Sequence, residues 1–366
     1  MKYLLACTVS VLFVPAILAE RPAGSGVYAI WYGQNVELFD LPFLGGGQAI
    51  AQWAEVEPEP NHYDFSALDR QLKALHERGL KATVQINGNR KPAYLFKQVP
   101  FYPERLSPQV NDPDGTLMFW HPAHANAYRK LVQGLGGYLQ NSQYREAILG
   151  IRLNFNGFGT EHLHLPPGPA RQASEWTTPP GVEQGTDWSL PETRAYERLV
   201  FRAYVEHLSP HAYVFVRNGI HEETAESHRD DFANGRLGWF HTSSEAEPRA
   251  GSEHRYRRFY NDCRSGRTVA YAEPWASAWG HHGGKTDDRA CSPPQWNYWR
   301  LLLDLHNGVS FIAAYAADLE VARTGTYRYG KTGLLHDDVA KQTNYRQEFA
   351  AALQFHGYSG LTGFLC

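Results

Sequence analysis

Eight short apolar segments alternate with helical segments along this chain, and this alternation constrains the fold more than any other feature. The apolar segments span residues 27–32, 48–53, 81–87, 148–156, 212–217, 237–241, 268–272 and 309–315. Strands that alternate with helices are typical of parallel α/β architectures. There are eight of them, and no glycine-rich phosphate turn follows the first, so a (β/α)8 TIM barrel is favoured over an open doubly wound sheet.

The segments between the strands carry helical periodicity. In residues 64–78, Phe65, Leu68, Leu72 and Leu75 recur at spacings of three and four, as on one face of a helix. Asp64 or Ser66 is expected to cap this helix, and Gly79 to end it. Further helices are predicted over 123–140, 192–207, 296–306 and 345–356.

The chain length predicts one domain. A length of 366 residues suits a single barrel with insertions, which we assign to residues 20–366, with long loops after the fourth and seventh strands. Residues 1–19 have a basic start at Lys2, an apolar stretch and a small residue at Ala19, which is typical of a cleaved secretory signal. We therefore expect a secreted or periplasmic protein with no membrane segment after cleavage.

The charge and the aromatic content of the chain limit the classes of binding partner that we expect. The formal net charge is −3 and the basic residues are spread along the chain, which argues against nucleic-acid binding. Aromatic residues make up 13% of the chain and include 10 Trp, which suits stacking on sugar rings but is also compatible with an aromatic core. The expected partner is a carbohydrate, and no cofactor is expected.

The cysteines leave two alternatives open. Cys263 and Cys291 flank the seventh strand and its following loop, and in an oxidising compartment they could form a disulfide that closes this loop. The alternative is two free thiols. Cys7 would leave with the signal segment, and Cys366 has no evident partner.

Two glutamates follow strands that are far apart in sequence. Glu161 comes after the fourth strand and Glu273 directly after the seventh. In a (β/α)8 barrel the carboxyl ends of the strands face one cleft. Two carboxyl groups in one cleft are what the hydrolysis of a glycosidic bond requires.

Other polar and aromatic side chains at the predicted strand ends are candidates for substrate binding. They are Trp53, Glu55, Asn87, Asn156, Arg217, Asn218, His241, Trp275, Trp279 and Tyr315. Glu57, which precedes Pro58, is expected to be a structural hydrogen-bonding residue instead. Arg152 lies within the fourth strand and needs a carboxylate partner inside a barrel, either Glu55 or Glu273.

One region of the chain resembles a known enzyme family. The motifs are Gln52-Trp-Ala-Glu-Val-Glu-Pro58, Tyr63-Asp-Phe65, Leu68-Asp69, Gly79-Leu80-Lys81 and Pro92-Ala-Tyr-Leu95. Together they resemble the second- and third-strand region of clan A glycoside hydrolases, and most closely the β-galactosidases of family 42. The resemblance is clear over residues 50–160.

This resemblance implies roles for the two glutamates. Glu161 would be the acid/base and Glu273 the nucleophile of a retaining enzyme, with the pKa of Glu161 raised and Glu273 ionised. The clan has Asn directly before its acid/base, whereas Thr160 occupies that position here. Either the fourth strand ends early and a turn with left-handed Gly157 or Gly159 brings Glu161 back, or another residue is the acid.

Two other functional classes stay open. The first is a barrel that binds carbohydrate without cleaving it. The second is a polysaccharide lyase or a metal-dependent hydrolase that uses His and Tyr, for which His162, His164, His281 and His282 would be the metal candidates. The sequence favours neither, because no HExxH helix is present, and we predict no metal site.

Overall fold

The barrel is closed and all of its strand pairs are parallel. The computed structural model describes residues 23–163, 165–217, 222–241, 262, 268–274, 304 and 308–324. The barrel strands are β1 (Gly26–Ile30), β2 (Leu44–Gln52), β3 (Lys81–Asn87), β4 (Ile148–Arg152), β5 (Tyr213–Arg217), β6 (Leu237–His241), β7 (Ala270–Ala272) and β8 (Phe311–Tyr315). Each pairs with the next in chain order, and β8 pairs with β1. The predicted (β/α)8 barrel is confirmed.

Helices follow most of the strands. The α-helices in the described residues are α1 (Trp53–Val56), α2 (Ser66–His76), α3 (Pro122–Asn141), α4 (Leu190–His207), α5 (Glu222–Ser227), α6 (Arg229–Ala233) and α7 (Ala316–Thr324). Short 3-10 helices span Val36–Asp40, Ala93–Lys97, Arg145–Ala147, Pro169–Arg171 and Ala173–Glu175. A small antiparallel ladder joins Phe101–Tyr102 to Thr116–Leu117.

Several predicted features lie outside the described residues. They are the signal segment 1–19, the helix 345–356, the helix 296–306 apart from Asp304, and the cysteines at 263, 291 and 366. In the described part of the chain, none of the helices combines the length and the hydropathy that crossing a bilayer requires.

The core has two layers. Inside the barrel, aromatic side chains from five strands contact one another: Tyr28, Phe215, Phe240, Tyr271 and Phe311. Between the barrel and its helices, the Leu68, Leu72 and Leu75 face of α2 is fully buried, as its periodicity predicts. These layers make the barrel a packed scaffold that carries its loops at the rim.

Strand and helix ends differ from the predicted bounds where local hydrogen bonds intervene. Trp53 was predicted to end β2, but β2 ends at Gln52 and Trp53 begins α1. Helix α2 begins at Ser66, whose N–H donates to the Asp64 carboxylate, so Asp64 stabilises the start from outside the helix. Strand β4 ends at Arg152, four residues before the predicted end.

Candidate active site

The residues after β4 fold back in a tight turn. The N–H groups of Phe155 and Asn156 both donate to the carbonyl oxygen of Thr160, at 2.9 and 3.0 Å. Asn156 is left-handed, with φ of 50°, whereas Gly157 and Gly159, which we expected to be the left-handed residues, are not. Asn tolerates this conformation better than most residues because its short polar side chain can hydrogen-bond locally. The turn therefore brings Glu161 back towards the barrel. This is the first of the two alternatives given above, in which the fourth strand ends early and a turn follows it.

Asn156 locks this turn to β3. Its side-chain Nδ2 donates to the carbonyl oxygen of Ile86 at 2.9 Å, and its Oδ1 accepts from the N–H of Gly88 at 2.7 Å. Nδ2 also lies 3.3 Å from the Tyr128 hydroxyl. Both ends of the amide are thus used by the protein, and the side chain is fully buried. The amide of Asn156 therefore holds the turn, and its contact with substrate stays a prediction.

Glu161 is buried among cationic and polar groups. Its carboxylate lies 3.7 Å from Nη2 of Arg152, 3.1 Å from Nε2 of His162 and 3.6 Å from Nη1 of Arg217, and the Thr160 hydroxyl donates to it. Burial by itself raises the pKa of this carboxyl group. The charge of Arg152 and the hydrogen bonds from His162 and Thr160 outweigh burial, so the pKa of Glu161 lies below its ordinary value.

Glu273 follows the end of β7 and is also buried. Its Oε2 accepts a hydrogen bond from Nη1 of Arg152 at 3.2 Å. Burial, followed by the negative charge of Glu161, raises the pKa of Glu273 to about 7, although Arg152 opposes the increase. The order of the two pKa values is thus the reverse of the expected one in this ligand-free site.

One guanidinium group holds the two glutamates together. Arg152 donates from Nη1 to Glu273, and its Nη2 faces Glu161, while its Nε donates to Oδ1 of Asn154 at 3.3 Å. Arg152 also lies over the Phe240 ring, 5.0 Å from its centroid. The prediction that Glu273 is the partner of Arg152 is confirmed. Glu55, the other candidate partner, is exposed and accepts from the N–H of Gln52 instead.

Three of the predicted substrate-binding residues lie around this pair. Arg217, at the end of β5, contacts Glu161. Tyr315, at the end of β8, has a pKa raised by burial and then by the charge of Glu273. Asn87, at the end of β3, accepts from Asn154 at 3.0 Å, and so connects to Arg152 through one intervening amide. These three side chains lie at one end of the barrel because the carboxyl ends of its parallel strands are all on the same side.

Two other predicted substrate-binding residues are placed elsewhere. Trp53 is completely buried, and its Nε1 donates to Oε2 of Glu57 at 2.8 Å, which gives the indole a structural role. Its contact with substrate stays a prediction. Glu57 also accepts from the N–H of Asn61 at 2.9 Å, which confirms its structural role. Glu55 closes a capping box at the start of α1, so its carboxylate serves its own helix.

The side chains of the remaining substrate-binding candidates lie outside the described part of the chain. Asn218, Trp275 and Trp279 lie outside the described residues, and for His241 the structure describes the backbone at the end of β6 only. Within the residues described, no group of three or more His, Cys, Asp or Glu side chains is arranged to hold a metal ion. His164, His281 and His282 lie outside that part of the chain.

Sequence reasoning missed two contacts of the carboxylate pair. Thr160 and His162 flank Glu161 in sequence and both contact its carboxylate. The predicted first strand also ran through Trp31 to Tyr32. The strand ends at Ile30, so Trp31 lies at the rim, whereas Tyr32 is buried against Phe39.

A family model and several solved structures are similar to this chain. The model described as beta-galactosidase, of glycoside hydrolase family 42, matches residues 47–140, and the predicted resemblance is thereby confirmed for this region. The matched segment carries β2, β3 and most of α3, which identifies this part of the barrel as similar to a glycoside hydrolase. None of the curated proteins matches the chain significantly.

The similar solved structures are glycosidases of low sequence identity. Xylanase B from Clostridium stercorarium F9 is 13% identical, with 80% of this chain and 85% of that chain covered and a TM-score of 0.42. A xylanase from Paenibacillus barcinonensis is 13% identical, with coverages of 80% and 84% and a TM-score of 0.47. A β-galactosidase from the psychrophilic Marinomonas ef1 is 12% identical, with coverages of 79% and 53% and a TM-score of 0.47. The fold assignment itself rests on the strand pairing of this chain.

Proposed function

We propose that this chain is a retaining glycoside hydrolase that cleaves β-glycosidic bonds by double displacement. The observation that carries the proposal is that Glu161 and Glu273, which come from opposite parts of the sequence, contact the same Arg152 guanidinium. Because both carboxylates contact one small planar guanidinium group, we infer that they border the same cleft. In retaining glycosidases the two carboxyl groups lie about 5 Å apart.

The two carboxylates have complementary tasks in this mechanism. Glu161 donates a proton to the glycosidic oxygen while the Glu273 carboxylate attacks the anomeric carbon, so that the C–O bond breaks and a glycosyl ester forms. Glu161, now ionised, takes a proton from water, and the resulting hydroxide displaces Glu273 from the anomeric carbon. The sugar leaves with its configuration retained and both carboxyl groups return to their starting states.

The neighbouring groups support this assignment. Arg152 stabilises negative charge on either carboxylate, which allows two buried acids to coexist in one site. Arg217 lies beside Glu161, and Tyr315 lies in the field of Glu273, where they can contact sugar hydroxyl groups.

The substrate we propose is a β-galactoside or a related oligosaccharide or polysaccharide. The match of residues 47–140 to the family model described as beta-galactosidase supports this choice. We also propose that the protein is exported to the periplasm or the medium, because residues 1–19 have the pattern of a signal segment. Mass measurement of the N-terminus of the secreted protein would test this export.

A panel of aryl glycosides tests the activity. Wild type, Glu161→Gln and Glu273→Gln would be assayed on 4-nitrophenyl β-galactoside, β-glucoside and β-xyloside. Glu273→Gln is expected to lower kcat/KM by about 10³-fold or more, since it removes the nucleophile. Glu161→Gln should instead lower kcat, because 4-nitrophenolate leaves without a proton whereas the attack of water still needs the base. The exposed Glu146→Gln is a matched control and should leave the rate unchanged.

Two further measurements separate the roles. Azide should restore activity to Glu273→Ala with an inverted glycosyl azide as product, because the small anion occupies the place of the missing carboxylate. Proton NMR of the first product formed by wild type should show the β-anomer. Full activity in either Gln variant, or an α-anomer as first product, would overturn the proposed mechanism.

A further inference from the structure

The long loop between β3 and α3 carries a glutamine that reaches the turn before Glu161. The backbone N–H of Thr160 donates to Oε1 of Gln109 at 3.1 Å. Thr160 is also the residue whose hydroxyl group donates to the Glu161 carboxylate. Gln109 therefore contacts the turn that positions the proposed acid, although it lies 51 positions earlier in the sequence.

The backbone of Gln109 is fixed near the carboxyl end of β3. Its carbonyl oxygen accepts from Nδ2 of Asn89 at 2.7 Å, and its N–H donates to the Ser107 hydroxyl at 3.2 Å. Asn89 is the second residue after β3, which ends at Asn87. Because the carboxyl ends of the strands form the face of the barrel that carries both glutamates, Gln109 lies at that same face.

The direction of the Gln109 amide follows from the donor that it meets. A backbone N–H can only donate, so the oxygen of the amide, rather than its nitrogen, must face Thr160. The nitrogen Nε2 is then directed elsewhere and offers two N–H groups. Among the residues that the structure describes, no group accepts a hydrogen bond from Nε2 of Gln109, and the side chain is half-buried.

Two other amides near the carboxylate pair have no donor left. Asn154 and Asn156 each use both hydrogens of Nδ2 on groups of the protein, among them the carbonyl oxygen of Ile86. A sugar site needs a few polar groups whose directions are fixed and whose hydrogen bonds are still available. Gln109 meets both conditions, because its oxygen is held by Thr160 and its two N–H groups are unused.

We propose that Gln109 is a specificity-determining residue, whose Nε2 donates to a hydroxyl group of the sugar ring that Glu273 attacks. The oxygen of the same amide holds the side chain against the Glu161 turn, so the bound hydroxyl group and the acid keep a fixed separation. This inference rests on the proposed function, because it needs a sugar in the site.

Monodeoxy substrates test this contact. Wild type and Gln109→Met would be assayed on the aryl glycoside that wild type cleaves best, and on its derivatives that each lack one hydroxyl group of the sugar. The ratio of kcat/KM for the parent to that for each derivative is compared between the two proteins, so a general loss of activity through a displaced turn cancels. For one hydroxyl group, the ratio should be about 3- to 10-fold larger in wild type, as expected for a hydrogen bond between neutral groups.

A matched control shows whether the effect belongs to Gln109. Gln98→Met makes the same change at an exposed glutamine of the same loop and should keep the wild-type ratios. Equal ratios in wild type and Gln109→Met for every hydroxyl group would overturn the inference and leave the proposed function standing.

Nitrogen-15 NMR of the side-chain amides gives a readout that needs no cleavage. Gln109→Glu removes the NH2 group but keeps an oxygen acceptor for Thr160, so it identifies the Gln109 signal by its absence even if Gln109→Met does not fold. Wild type would be titrated with the 1-thio analogues of the three aryl glycosides used above, which resist hydrolysis, and the Gln109 signal should shift. An unmoved Gln109 signal at saturating ligand would overturn the inference. If no signal moves and no aryl glycoside is cleaved, the proposed function fails as well.

Discussion

Arg152 sets the charge state of the candidate site at the scale of single residues. One guanidinium group faces two buried carboxylates, so its single positive charge can balance only one of them. Burial, and after it the negative charge of Glu161, outweigh Arg152 and Arg217, so the pair keeps one proton up to near-neutral pH, and this proton resides on Glu273, whose pKa is about 7. Because the two groups interact strongly, they titrate as a pair.

This shared proton predicts the pH dependence of activity. The proposed mechanism needs one proton on the pair, which must reach Glu161 when the substrate binds. The proton is lost as pH rises through about 7, so kcat/KM should be highest below that pH and fall above it. A pH profile on an aryl glycoside checks this expectation, and activity that rises through pH 7 would contradict it.

Glu161→Gln offers a related test on the same pair. Burial is the largest cause of the raised pKa of Glu273, and the negative charge of Glu161 adds to it. Replacing this charge by a neutral amide should lower the pKa of Glu273 towards its ordinary range. Carbon-13 NMR titration measures this shift directly, and a pKa that stays at about 7 would mean that Glu161 does not act on Glu273.

Removal of Arg152 should cost stability in a pH-dependent way. Arg152→Met leaves the buried Glu273 without its hydrogen-bonded cation and leaves Glu161 with Arg217 alone, and breaking a buried ion pair typically destabilises a fold by about 3–5 kcal/mol. The pKa values of both carboxyl groups would rise, so the loss should be largest above pH 7 and shrink towards pH 4, where both groups bind protons. Urea denaturation at pH 8 and pH 4.5 measures this difference. The exposed Arg129→Met on α3 should change little at either pH.

Some of these residue positions could be predicted from the sequence and others could not. Glu161, Glu273 and Arg217 were predictable because each follows an apolar strand, and parallel strands of a barrel end on the same side. The buried partners of Trp53 and Asn156 could not be predicted, because chain position does not reveal whether a side chain turns inward. The left-handed backbone of Trp31 could not be predicted either, because nothing in the surrounding sequence requires it.

At the scale of elements, the packing of β4 against β5 depends on residue 150 being glycine. A Cβ atom at Gly150 would lie 2.3 Å from Cε2 of Phe215, inside the barrel. Phe215 in turn contacts the rings of Tyr271 and Phe311, so it cannot move freely. Gly150 is therefore needed for the aromatic interior to close.

Gly150→Ala should destabilise the protein through this contact. Overpacking of a well-packed core typically costs about 1–3 kcal/mol, and the second substitution Phe215→Leu should recover part of the loss. The control is Gly137→Ala in α3, where a Cβ atom meets nothing within 4 Å. Because alanine favours a helix over glycine by roughly 0.5–1 kcal/mol, this control should be more stable than wild type. Thermal or urea unfolding of the two single variants should thus shift in opposite directions.

Element types were easier to predict than element ends. The periodicity of α2 and the apolar run of β3 gave both elements with nearly correct bounds, because burial of one face dictates the pattern. Strand β4 was predicted too long because the sequence 153–156 keeps an apolar alternation after the backbone has left the sheet. There the tertiary contacts of Asn156, rather than local preference, determine the chain direction.

At the scale of the whole molecule, ionisation of the buried Glu273 lowers the stability of the fold. The pKa of Glu273 is raised from 4.5 to about 7, so the folded state loses stability relative to the unfolded chain as pH rises from about 4.5 through 7. Buried reactive groups of this kind commonly trade stability for activity.

Glu273→Gln should therefore be more stable than wild type and inactive. Glutamine does not ionise, so the gain should be near zero at pH 4.5 and reach the order of 2–3 kcal/mol above pH 7, as the pKa shift implies. Urea denaturation across this pH range measures the gain. Glu146→Gln at an exposed position should follow the wild-type curve, and a Glu273→Gln curve parallel to it would contradict the prediction.

The two carboxylates reach the rim by different routes. Glu273 follows β7 directly, whereas Glu161 sits at the far side of a turn that Asn156 anchors to β3. Inserting residues at 157–159 would displace the acid and leave the nucleophile where it is. A wider gap between the two groups is the arrangement of enzymes that invert anomeric configuration. In a barrel built in this way, the length of one loop determines the anomeric configuration of the product sugar, and the eight strands need not change.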